Sequence, residues 1–296
     1  TLGGMIGSST GYDAESGQKC YDLENALQEK GFQLNQTMIG LYSSDAAMAY
    51  GRANGHGLTP SFGMSYENSP MYPIGEIPAS LYTEDVLASA DDTAALIVLS
   101  RDSSEAADYH PDMVNGTEGD TYERPLALSD YEREMIGPAK QHNNGKVIVL
   151  INSDNPLEID ELKQDPDIDS ILWTGLPGMY GFLGVADVLS GDVNPSGHLS
   201  DTYAVNSTSS PAMQNFGLYL YTNNSQSDAP ELTELNKADW YVVQTEGIYS
   251  GYKYYETRYE DYVTGNGNAG SAKGVCAGDG SWNYSDEVAF TFGYGL

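Results

Sequence analysis

The sequence predicts an α/β fold: a doubly wound, mainly parallel sheet with helices on both faces. Three observations carry the prediction. The runs Ala94-Ala95-Leu96-Ile97-Val98-Leu99 and Val147-Ile148-Val149-Leu150-Ile151 are continuously apolar, and Ile168, Ile171, Leu172 and Trp173 form a third short run. That pattern belongs to strands buried on both faces rather than to strands with one wet side. Segments with helical apolar spacing lie between these runs, and strands that recur after helices at this spacing form βαβ units.

The elements follow in order. Leu23, Ala26 and Leu27 sit at helical spacing within residues 21–30, and Gly31 supplies a positive-φ stop. A strand is expected near 37–42 and a helix over 81–90, ahead of the first buried strand. Ser129-Asp130-Tyr131-Glu132 has the form of a capping box, in which the hydroxyl and the carboxylate satisfy free amides at a helix start. That helix should run to about His142 and break at Asn143-Asn144-Gly145. The strand at 147–151, a short helix around 157–163, the strand at 168–173 and a helix containing Leu183, Val185, Ala186, Val188 and Leu189 come next. Gly191 stops that helix, and Asn194-Pro195-Ser196-Gly197 reads as a turn. Residues 207–230, rich in Ser, Asn and Gln, read as surface loop. The alternating aromatics of 251–256 read as a strand with one packed face.

Composition bounds the function. Of 296 residues, 43 are Asp or Glu and only 13 are Lys or Arg, a formal charge of −30. Such a chain repels nucleic acid and anionic membranes, and a neutral ligand such as a sugar suits it better. The 23 tyrosines offer amphipathic surface for stacking on sugar rings. Cys20 and Cys276 stand almost at opposite ends, which permits one disulfide and fixes no connectivity. His56, His110, His142 and His198 have no metal-ligand rhythm, so no metal and no cofactor are expected. No segment has the unbroken apolar length of a membrane span, and Thr1-Leu2-Gly3-Gly4 lacks the pattern of a signal peptide. The glycines of residues 2–8 have neither a preceding strand nor a Walker lysine, which argues against a nucleotide cradle.

Within residues 170–204, Trp173, Gly175, Pro177, Gly178, Gly181, Ala186, Asp187, Leu189, Gly191, Asn194, Pro195, Ser196, Gly197, Leu199 and Thr202 form a dense pattern. It resembles the signature of glycoside hydrolase family 3, with His198 where that family usually has Arg. The later pieces Glu246-Gly247-Ile248-Tyr249, Gly251-Tyr252-Lys253-Tyr254-Tyr255-Glu256 and Phe292-Gly293-Tyr294-Gly295-Leu296 resemble the tail of the same domain. The resemblance implies that residues 1–296 are the family's C-terminal α/β sandwich domain, cut at both ends, with 207–296 its loop-rich, Tyr-rich C-terminal part. It also implies a (β/α)-barrel domain elsewhere in the protein or complex and a fibronectin-like domain following Leu296. Most of the signature residues have a purely structural reading, as strand, helix and turn.

The segment able to carry chemistry is the polar stretch 101–111, just past the carboxyl end of the first buried strand, where α/β sheets place their ligand sites. It is similar to the family's Ser-Gly-Glu-Gly-x-Asp motif, so Glu105 inherits the role of general acid/base. Ser104 and Ala106 replace the flanking glycines. Asp108, His110 and Arg101 are the candidates for binding substrate or orienting the loop: Asp108 through hydrogen bonds to its own backbone, His110 through the charge near Glu105, and Arg101 through pairing with a neighbouring carboxylate at the surface. Asp108 is tethered too close to Glu105 to serve as the second carboxylate of a retaining mechanism, so no nucleophile is expected in this chain. The family's nucleophile is an Asp of the barrel. The implied function is a retaining, exo-acting β-glycosidase acting on β-linked oligosaccharides or glycosides, β-glucosidase first and β-xylosidase next, outside the cell or at its surface. The alternative is a non-hydrolytic carbohydrate-binding or interaction domain.

Overall fold

The computed structural model describes residues 21–50, 75–101, 109, 111, 120–142, 146–217, 219–220, 240–270, 274–276 and 280–296. Helix α1 (Leu23–Glu29) is capped by Asp22, whose carboxylate accepts from Asn25 N, and Gly31 follows it at φ 89° as expected. Residues 36–42 correct the strand expected there. They form helix α2 (Gln36–Tyr42), because the Asn35 side chain accepts from Thr37 N and Met38 N and so starts a helical turn. Two further short helices, α3 (Asp45–Met48) and α4 (Glu84–Ala88), are capped by Ser44 and Thr83.

The central sheet is parallel. Strands β1 (Ala95–Ser100), β2 (Val147–Asn152) and β3 (Ser170–Trp173) lie in the order β1-β2-β3, with Leu99 opposite Ile151 and Ile151 opposite Trp173. Helix α5 (Asp130–His142) links β1 to β2, and α6 (Asp160–Gln164) links β2 to β3. Alternation along the strands sorts the core into two layers. Ala95, Ile97, Leu99, Val147, Val149, Ile151 and Ile171 pack with Met135, Ile136 and Ala139 of α5 and Leu162 of α6. Leu96, Val98, Ile148, Leu150 and Leu172 pack on the other face with α1 and with Phe182, Val185 and Ala186 of helix α7 (Gly181–Ser190). Helices therefore cover both faces of the sheet, an α/β sandwich.

The capping box forms as the sequence implies: Ser129 Oγ accepts from Glu132 N, and Glu132 Oε2 accepts from Ser129 N. Gly191 ends α7 at φ 80°. The chain then runs to Leu199, which donates to Tyr294 O and accepts from Gly293 N, while His198 bridges to Gly295. The ring of His198 reaches Gly293 O at 2.9 Å from Nδ1. Strand β4 (Tyr203–Ala204) next pairs with the last strand, and helix α8 (Pro211–Gln214) and the antiparallel strands β5 (Tyr219–Leu220) and β6 (Trp240–Tyr241) follow.

The aromatic-rich tail is helical, which corrects the strand expected over 251–256. Helix α9 (Tyr252–Thr264) buries Tyr255, and Tyr252, Tyr255, Tyr259 and Tyr262 follow a spacing of three and four residues. Short helix α10 (Tyr284–Glu287) leads into β7 (Val288–Phe290), the antiparallel partner of β4. Arg258 lies over the ring of Trp282 at 4.6 Å, and Tyr252 stacks on Phe292 at 3.9 Å, so these rings mostly pack on one another.

Candidate functional site at the carboxyl edge of the parallel sheet

Three strands end at one edge, and each contributes a different kind of group. At the end of β1 stands Arg101, only 1 % exposed. The expected surface pair is thus a buried one. Nη1 and Nη2 fork onto Glu132 Oε1 and Oε2 at 2.7 and 2.9 Å; Nε donates to Pro125 O, Nη1 also to Ser100 O and Nη2 also to Ala127 O. All five guanidinium donors are spent, so Arg101 has none left for a substrate. Its work is to hold segment 124–127 and the start of α5 against the end of β1. A buried guanidinium is tolerable only with such complete pairing.

Glu105, Asp108 and His110 lie outside the described residues. Asp120 accepts from Tyr131 N through Oδ1, and Oδ2 of the same buried carboxylate has no hydrogen-bond partner. Burial raises the Asp120 pKa above the usual carboxylate value.

Strand β2 ends at Asn152, and Ser153, Asp154 and Asn155 follow it. Asn152 Nδ2 donates to Gly175 O at 2.6 Å, tying the end of β2 to the loop after β3. At the end of β3, Trp173 Nε1 donates to Ser153 O at 2.8 Å, and the residue remains 39 % exposed. Gly175, at φ 59°, lies against it: a Cβ there would come within 3.3 Å of the indole Cζ2. A side chain at 175 would be strained and would crowd the ring.

A second buried acid escaped sequence reasoning. Glu76 Oε1 accepts from Tyr42 OH at 2.8 Å and from Ile77 N at 2.8 Å, and Tyr42 OH also meets Tyr82 OH at 2.6 Å. Burial pushes the Glu76 pKa up to about 7, against the lowering effect of those two hydrogen bonds, and the nearby Glu132 carboxylate adds to the rise. No local sequence pattern announces this group, because its side-chain partner Tyr42 lies 34 residues upstream and the carboxylate that acts on it, Glu132, stands on helix α5.

Among the described residues, no group of three or more His, Cys, Asp or Glu side chains could hold a metal ion. No helix among them is long and apolar enough to cross a membrane. Cys276 carries a free thiol beside Glu287, its Sγ 3.6 Å from Oε2, and burial pushes its pKa up to about 12. Cys20 lies outside the described residues. The thiol is half-buried and poorly ionised, which disfavours reaction as a thiolate.

The chain is 32% identical over 202 residues to beta-glucosidase A of Butyrivibrio fibrisolvens, covering 62% of this chain and 21% of that protein. It is 32% identical over 178 residues to beta-D-xylosidase 3 of Arabidopsis thaliana, covering 57% of this chain and 20% of the relative. It therefore spans about a fifth of the length of these relatives. Among solved structures, beta-glucosidase 3B from Thermotoga neapolitana in complex with alpha-D-glucose superimposes with a TM-score of 0.56 at 23% identity, over 94% of this chain and 30% of that one. That likeness shows a shared fold. The family model described as glycosyl hydrolase family 3 C-terminal domain matches residues 10–252, so the parallel sheet, the loop after β1 and the signature after β3 all fall within it. The chain belongs to glycoside hydrolase family 3, as its C-terminal domain.

Proposed function

We propose that this domain supplies the general acid/base, Glu105, to a retaining exo-acting β-glycosidase whose active site is completed by a (β/α)-barrel domain. The single observation that carries the reading is position: the segment bearing Glu105 leaves the carboxyl end of β1, inside the span matched by the family model. Protonated Glu105 gives its proton to the departing glycosidic oxygen while a carboxylate of the barrel attacks the anomeric carbon. The resulting glycosyl-enzyme bond is then broken by water, which Glu105, now ionised, deprotonates. Glucosides are the first expected substrates and xylosides the next, in keeping with the relatives named beta-glucosidase and beta-D-xylosidase. The strong negative charge suits a neutral sugar, and an extracellular or cell-surface setting is part of the proposal, as is a fibronectin-like domain after Leu296.

A second reading is a carbohydrate-binding domain without turnover. Ser104 and Ala106 favour it, because they stand where the family motif has glycines. Hydrolysis of aryl β-glucosides and β-xylosides by the native protein that carries this chain, beside its Glu105→Gln variant, separates the two. The enzymatic reading expects turnover of natural glycosides to collapse in the variant, with partial recovery on a good leaving group or on adding azide. Saccharide binding without hydrolysis by the native protein would overturn it in favour of the second.

A further inference from the structure

We infer that helix α2 is a pH-released cover over Glu76: it stays docked while that buried carboxyl carries a proton and comes away when the carboxyl ionises. The helix buries none of its own residues, so apolar burial does little to hold it to the molecule. Polar ties at its two ends hold it instead. At the start, Asn35 Nδ2 donates to Ser89 O and to Ser89 Oγ, each at 3.0 Å. At the other end, Tyr42 OH gives its one proton to Glu76 Oε1 at 2.8 Å, so Tyr82 OH, 2.6 Å away, is the donor to Tyr42. The same hydroxyl lies 3.5 Å from Met135 Sδ on α5. Glu76 is the acceptor on which this chain of hydroxyls ends, and the attachment of the helix end depends on it.

Nothing in that pocket compensates a negative charge. Glu76 is 8 % exposed, and its two donors, Tyr42 OH and Ile77 N, are both neutral. Among the described residues, the titratable groups around it are Tyr42 on α2, Tyr82 just after the turn Ala79–Leu81, and Glu132 and Glu134 on α5. Glu132 is already paired with Arg101, whose donors are all spent, and Glu134 Oε2 accepts from Ala79 N at 3.3 Å. Burial pushes both tyrosines above the ordinary tyrosine value, so the carboxyl, rather than either hydroxyl, changes charge near neutral pH. An ionised Glu76 is therefore relieved by water, and water has one easy way in. Ile77 and Ile136 beside it belong to the buried interior, whereas α2 gives up no buried residue on leaving. Local opening follows the least buried element. In the docked form the carboxyl has a pKa of about 7, and once wetted it returns to 4.5. Docking is thus at full strength below pH 4.5, weakens as pH rises from there to 7, and levels off above.

The test is native-state hydrogen exchange of the protein that carries this chain, at pH 5 and pH 7.5, each rate corrected for the intrinsic exchange of the free amide. The opening constant at the Leu41, Tyr42 and Ser43 amides is expected to rise about fiftyfold between the two pH values, the factor that a pKa of about 7 docked and 4.5 open requires. Low concentrations of urea should hardly change that constant, because a seven-residue helix exposes little surface on leaving, while the amides of β2 should open far less often and with a steep urea dependence. In Glu76→Gln, which keeps the shape and cannot ionise, the opening constant of α2 should be the same at both pH values. An α2 opening constant that does not change with pH in the parent protein would overturn the inference, and so would a rise that persists in Glu76→Gln. A urea dependence at α2 as steep as that at β2 would overturn it as well, since the helix would then leave only with the whole fold. The parent protein's two pH values and urea series decide the matter even if the variant does not fold.

Discussion

Replacing Arg101 with Met removes a cation whose five donors serve two carboxylate oxygens and three backbone carbonyls. What remains is a Glu132 carboxylate, 3 % exposed, still accepting from Ser129 N but stripped of its counter-charge, together with the carbonyls of Ser100, Pro125 and Ala127. Breaking one side of a buried, bidentate pair costs about 3–5 kcal/mol. Met has nearly the length of Arg and fills part of the same space, so little of the loss is a cavity. The double variant Arg101→Met, Glu132→Leu removes the orphaned charge and should recover about 2 kcal/mol or more of that loss, since a buried ion pair is worth little against apolar packing. Chemical denaturation of the four proteins in the cycle measures both quantities. A single Arg101→Met cost below about 1 kcal/mol, or a double variant no better than the single, would refute the argument that Arg101 and Glu132 are coupled in a dry site. Under the proposed function glycosidase activity is read alongside: because Arg101 stands at the end of the strand that precedes Glu105 in the chain, the single variant should lose kcat even under conditions where it is fully folded.

Glu76 gives a prediction in pH. Its folded pKa, about 7, lies above the 4.5 of the unfolded chain, so the fold prefers the protonated form. The contribution is fully present below pH 4.5 and is lost as pH rises through 7, amounting to about 3 kcal/mol for the 2.5-unit difference. Glu76→Gln should therefore flatten the fall in stability between pH 5 and 8, and parallel pH profiles of the two proteins would rule out the assignment. Gly295 makes a steric prediction: a Cβ there would stand 2.5 Å from His198 Nδ1 and 2.6 Å from Gly197 O. Gly295→Ala should open the His198 bridge and cost about 1–3 kcal/mol, and removing the ring with His198→Ala should relieve only part of it because a backbone oxygen remains. A melting temperature equal to that of the parent protein would contradict the close approach.

Much of this molecule was legible because the governing physics is local. The apolar runs around Ile97 and Val149 could only be strands covered on both sides, and the Ser129–Glu132 box formed as its spacing requires. The two misread elements were also local failures. A strand was expected near 37–42, while Asn35 just before was the helix-starting signal. Tyr252 and Tyr254 mimic strand alternation, and only the longer series through Tyr255, Tyr259 and Tyr262 reveals the helical period.

The sequence by itself determined the layered α/β class and the family, since periodicity, caps and motif spacing act over a few residues. Only the tertiary structure decided what those residues face. It turned Arg101 from a surface charge into a buried anchor for a glutamate 31 positions away, placed Glu76 against Tyr42 where burial raises its pKa, and left Trp173 partly open at the carboxyl edge of the sheet. Burial and charge pairing depend on which distant segments converge, and a linear pattern carries no record of that convergence.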